Sequence, residues 1–138
     1  MANEALSEAV KGIITKAKEG GLDAGYAGYQ ALFASPEFAT YRVEDQRAAL
    51  RLMVLMKGVP QVPTAAMKEA HSVAAGLLKG LVSAHAEPSD HELLGVCHVV
   101  LGDEASAAAV FRAGLDLERA RDPQSKLCGT LMKRVSMV

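Results

Sequence analysis

The sequence predicts an all-α fold of about seven helices. Three observations carry that expectation. Half of the 138 residues are apolar, and Ala, Leu and Val dominate them while Ile occurs twice and Trp never. Ala is the best helix former and is depleted in strands, so a core of this composition favours helix on helix. No segment alternates apolar and polar residues between turn dipeptides as a half-buried strand does. Glycine and proline instead punctuate stretches with helical periodicity.

The elements follow in order. Asn3 is an N-cap for a first helix to about Lys18, with Leu6, Val10, Ile13, Ile14 and Ala17 on one side. Gly20-Gly21 ends it. A second helix runs from Asp23 to about Ala34, with Tyr26, Tyr29 and Phe33 at helical spacing, and Gly25 and Gly28 leave room for a close neighbour. Ser35-Pro36-Glu37 starts either a short turn through Tyr41 or the lead-in to a third helix, about Glu44 to Lys57. Gly58 and Pro60 stop that helix. Thr64 opens a long fourth helix to about His85. Ser89-Asp90-His91-Glu92 has the form of a capping box for a fifth helix to Leu101. Asp103 caps a sixth to about Arg121, and Asp122-Pro123 opens a seventh to about Met137. Short connections imply antiparallel neighbours, hence three hairpins and a terminal helix.

The length suits one compact domain spanning 1–138. Its apolar content and modest charge exclude intrinsic disorder. A formal net charge of −1 gives no basic excess for generic nucleic-acid binding. Met1-Ala2-Asn3-Glu4 has neither the basic start nor the apolar stretch of a signal peptide, and no apolar run approaches the ~20 residues of a membrane span. The expected location is the cytoplasm, where Cys97 and Cys128 remain buried thiols. The Ala-rich, Ile-poor usage is that of a GC-rich bacterial genome.

The segment Pro88 to Pro123 holds the most specific pattern. It contains Leu94-Gly95, Gly102-Asp103, Ala107, Phe111, Leu115 and a closing Pro123. This segment resembles a tetratricopeptide repeat, in which a Leu-Gly pair, a Gly-Asp turn, a small Ala and an aromatic recur at these spacings. His98 stands where that family has an aromatic and Gly114 where it has Ala, and Pro123 comes late, which lengthens the second helix. Placing Gly58 on Gly102 brings Leu50 onto Leu94 and Met67 onto Phe111, but Arg51 onto Gly95. The earliest unit keeps only Gly20-Gly21, an aromatic-rich second helix and Pro36. The resemblance implies three tetratricopeptide-like hairpins in a right-handed superhelix, closed by a C-terminal capping helix.

Catalytic and metal motifs are weak. His91-Glu92-Leu93-Leu94-Gly95 begins like a zinc-protease helix, yet Gly95 stands where the second His must be. His91 and His98 share a helix face with Cys97 beside them, without a third group to orient them. No phosphate-cradling glycine motif and no Ser/His/Asp set is suggested. Glu118 and Asp122 read as a solvated face. Arg119, Arg121, Lys126, Lys133 and Arg134 make the C-terminal end mildly basic, as helix C-termini favour. No catalytic residue, metal or cofactor is assigned, and an enzyme using His91, His98 or Cys97 is the weakest alternative.

The third and fifth helices weigh most. Ala48 to Met56 and Leu93 to Leu101 are apolar around nearly the whole helix, as in a helix buried all round. In the superhelix that the resemblance implies, first helices line the concave face, which places Ile14, Leu52, Leu55, Met56, Val96, Val99 and Val100 there. The family's charged groove does not fit, because Ala48, Leu52, Glu92 and Val96 occupy its positions. Two outcomes follow: a closed core, or an apolar groove that takes an amphipathic helix. The second predicts a non-enzymatic adaptor or small chaperone for an apolar or amphipathic helical segment of a protein partner. A narrower version is a secretion-type chaperone for a membrane-active partner. The alternative is a self-associating subunit, such as a homodimer, whose apolar face meets its own copy. Neither reading involves nucleic acid or membrane insertion.

Overall fold

A computed structural model describes residues 3–138. Among them are seven α-helices and no strand: α1 (Glu4–Gly20), α2 (Leu22–Ala34), α3 (Val43–Val54), α4 (Ala65–His85), α5 (Pro88–Val100), α6 (Glu104–Arg121) and α7 (Lys126–Ser136). A 3-10 turn, Phe38–Thr40, lies between α2 and α3. The all-α, seven-helix expectation holds. No helix among the described residues is long and apolar enough to cross a membrane. The helices fall into two compact units, one up to Ala74 and one from Ala75 to Val138, with the division inside α4.

In the first unit, the Asn3 side chain caps α1 as expected, Oδ1 accepting from the Leu6 N–H at 2.9 Å. Leu6, Val10 and Ile13 form the buried stripe of α1. Gly21 ends the helix at φ 90°, a left-handed conformation that glycine adopts at little cost, and its N–H donates to the Ala17 carbonyl. The chain then doubles back, and α2 packs on α1. The packing is close because two glycines face it. A Cβ at Gly25 would lie 2.8 Å from the Ala17 Cβ, and one at Gly28 would lie 2.9 Å from Ile13 Cγ1.

Helix α2 also begins an aromatic cluster, at Tyr29 and Phe33, four and eight residues beyond Gly25. Tyr29 and Phe33 stack at 5.7 Å, Phe33 meets Phe38 edge-on at 5.1 Å, and Phe38 meets Tyr41 at 6.0 Å. This cluster needs Phe38 turned inward, so Ser35 to Tyr41 forms the turn rather than the lead-in to α3. Gln46 Nε2 secures it by donating to the Tyr41 carbonyl at 2.8 Å. Helix α3 ends about one turn before the expected Lys57. Leu55 N–H still donates to Arg51, but Met56 N–H bonds Met53, a tightened last turn, and Gly58 follows at φ 73°. Thr64 Oγ1 accepts from the Met67 N–H at the start of α4 and donates to Asp23 Oδ1 at 2.7 Å.

In the second unit, α5 packs on α6 and α6 on α7. The contact of α5 with α6 depends on two glycines. The Phe111 ring fills the place where a Gly95 side chain would begin, and a Cβ at Gly114 would lie 2.6 Å from the His91 Cβ. Gly102, at φ 81°, makes the turn, and Asp103 caps α6 by accepting from Ser106 N–H at 3.1 Å. Ala107, Phe111, Leu115, Cys128 and Leu131 form one core cluster of this unit, with Val96, Leu127 and Val135 packed against it.

Two helix starts differ from expectation. Helix α5 begins at Pro88, with Glu87 as its N-cap and no side-chain cap, so the Ser89–Glu92 capping box does not form. Proline at the first helical position fixes φ and pushes the residue before it into extended backbone, which moves the start ahead of Ser89. Helix α7 begins at Lys126, not Pro123. Asp122 leaves the helical conformation, at φ -157° and ψ 87°, its Oδ1 accepts from Gln124 N–H in a turn, and Ser125 takes the cap by accepting from Cys128 N–H at 2.9 Å.

Candidate functional site

Six of the seven expected groove residues, all but Val100, line hollows within one unit or the other. In the first unit, an open hollow of about 290 Å³ is lined by Ile13, Ile14, Ala17, Leu22, Tyr29, Leu52 and Met56, with Lys18 beside them. Helix α1 supplies Ile14 and Lys18 one turn apart, and α3 supplies Leu52. Ile14 is 40% exposed and Leu52 47%. Thus α3 is not buried all round: Ala49, Leu50, Met53 and Val54 turn inward while Arg51 and Leu52 face solvent. A second, more open hollow adjoins it, lined by Ala48, Arg51, Leu52 and Leu55. Leu52 belongs to both, so the two make a continuous apolar strip.

The second unit has a smaller hollow, about 120 Å³, lined by Val96, Val99, Phe111, Arg134, Met137 and Val138. Val99 is 45% exposed. Val100 is half-buried and does not line this hollow. Helix α5 comes close to the expected all-round burial, since nine of its residues, from Pro88 to His98, are buried.

Sequence reading missed the two cations at the hollows of the first unit. Lys18 and Arg51 are exposed and have no ion-pair partner among the described residues. Arg134 differs: its guanidinium bonds Glu92 Oε2 at 3.1 and 3.2 Å, and Glu92 is only 3% exposed. Nothing in the linear sequence pairs residues that far apart.

Glu118, expected on a solvated face, is also buried. It accepts from Ser125 Oγ at 2.6 Å and from Arg121 Nε at 3.0 Å, while Arg121 also reaches Glu87 at 3.0 Å. The Ser125 hydrogen bond, helped by Arg121, holds the Glu118 carboxyl below the usual carboxylate range against the effect of burial. The late start of α7 brings Ser125 back over the last turn of α6.

The groups weighed for catalysis are committed elsewhere. Burial pushes the Cys97 thiol up to about 12, so it is no thiolate at neutral pH. Cys97 and Cys128 are both free and buried. His91 Nδ1–H donates to the Glu87 carbonyl at 2.9 Å, and His71 Nδ1–H to the Met67 carbonyl at 2.7 Å. Burial lowers the His98 pKa, against the pull of Asp103. Among the described residues no group of three His, Cys, Asp or Glu side chains is placed to hold a metal ion. The arrangement offers apolar surface with adjacent positive charge.

Comparison with known proteins returns no matching family model, no matching curated protein and no matching solved structure.

Proposed function

We propose that the chain is a non-enzymatic interaction module, an adaptor or small chaperone, that buries an apolar or amphipathic helical segment of a partner protein. The supporting observation is the strip around Leu52. Ile14, Leu52, Leu55 and Met56 line adjoining open hollows, and the first two are large apolar side chains left substantially in water. Exposed apolar surface that converges on a concavity gains free energy when an amphipathic helix covers it. Met56 lets the surface adapt to different side chains. The resemblance of the Pro88–Pro123 sequence to a tetratricopeptide repeat supports the same kind of role by analogy alone.

The test uses a synthetic amphipathic helix with an apolar face and uncharged polar flanks. Its binding to the wild type and to Leu52→Glu is followed by fluorescence anisotropy, with helicity and melting measured in parallel. The expected result is at least tenfold weaker binding with unchanged helicity. Unaltered binding by a folded variant defeats the reading, and so does unfolding of the variant, which makes Leu52 core. Light scattering across concentration addresses the homo-oligomer alternative, which a strict monomer excludes.

A further inference from the structure

From the charge beside the strip, and resting on the interaction reading above, we infer that the first unit selects an amphipathic partner helix with acidic residues flanking its apolar face. The two hollows that share Leu52 are lined by eleven different side chains. Nine are apolar or aromatic, two are cationic, and none is a carboxylate. The cations are Lys18, on α1, and Arg51, on α3. They reach the strip from different helices, so a helix lying along Ile14, Leu52 and Leu55 can meet positive charge from more than one direction.

Both cations are available. Each is exposed, and neither has an ion pair among the described residues. A carboxylate brought beside them gains attraction without first breaking an existing bridge. A basic flank meets repulsion at the same two points. The cationic groups leave the apolar floor intact, because Lys and Arg extend their aliphatic stems over it and keep the charge at the water. Apolar contact thus supplies affinity, and the charge selects which amphipathic helices are accepted.

The experiment uses three synthetic helices with one common apolar face and flanks of Glu, Gln or Lys. Each is titrated against the full chain at low and high salt. The acidic-flank helix is expected to bind about tenfold more tightly than the Gln-flank helix at low salt, and the basic-flank helix more weakly still. High salt should compress these differences. The double variant Lys18→Glu with Arg51→Glu should invert the order while keeping helicity and melting. Equal binding of all three helices overturns the acidic selection and leaves the interaction reading standing. An order that the double variant does not change also overturns it, because the selecting charge then lies elsewhere. Failure of every helix to bind overturns both. A concentration-dependent dimer that the double variant or Leu52→Glu dissolves makes a second copy of the chain the occupant and overturns the inference.

Discussion

The hollow beside Leu52 in the first unit and the hollow beside Val99 in the second are both apolar, yet their cations stand differently. Arg134 sits at the second hollow with its charge already spent on the buried Glu92. The chain's own Met137 and Val138 supply part of that wall. Lys18 at the first hollow, and Arg51 at the one that adjoins it through Leu52, have no such commitment. Apolar lining alone does not separate a binding surface from a core margin. The engagement of the neighbouring charges does, because a cation held by a buried carboxylate serves the fold.

The glycine contacts break the comparison hardest. Gly95→Ala would drive a methyl group into the Phe111 ring, which the surrounding core of α5, α6 and α7 holds. The expected cost is about 3 kcal/mol, read as a lower denaturation midpoint with unchanged slope. In the first unit a Cβ at Gly12 would meet no atom within 4 Å, so Gly12→Ala should instead stabilise by up to about 1 kcal/mol.

Arg134→Met comes next. It leaves the Glu92 carboxylate buried without its cation and should cost about 2 kcal/mol, since Arg134 itself remains partly solvated. Adding Glu92→Leu should recover much of the loss, and a double-mutant cycle in urea measures the coupling. Recovery sharpens the view that this charge serves packing.

The smallest effect concerns His71 in the first unit. Burial lowers its pKa, only partly offset by the bond to the Met67 carbonyl. In the folded state the ring resists protonation, whereas in the unfolded chain it takes a proton near its ordinary value of 6.5. The unfolded state therefore binds more protons as pH falls through that value, and stability declines on the acid side. The melting temperature should drop by a few degrees between about pH 7 and about pH 5.5, and less in His71→Leu. An equal drop in the variant moves the effect to another group, with His98 the next to test.

Much of the fold was legible in the residues. Asn3, Gly21, Thr64, Gly102 and Asp103 punctuate helices because their side chains or φ values act within a few residues. Local signals failed where proline competed. Pro88 displaced the Ser89 cap, and Asp122 before Pro123 stayed out of the helical conformation, leaving the cap of α7 to Ser125. The candidate site was half legible. Ile14, Leu52 and Met56 were placed together by resemblance and do line one hollow. Lys18 and Arg51 were not singled out, because a charged residue on a helix reads as ordinary solvated surface until its neighbours are known.

By itself the sequence determined that the chain is helical, where most helices begin and end, and that glycines stand at the close crossings. These are consequences of backbone sterics and short-range hydrogen bonds, which act over a turn or two. Only the tertiary structure decided which charges are engaged: Glu92 with Arg134, Glu118 with Ser125 and Arg121, and Lys18 and Arg51 with no carboxylate among the described residues. Burial and ion pairing depend on distance in space, and residues far apart along the chain become neighbours only when helices pack.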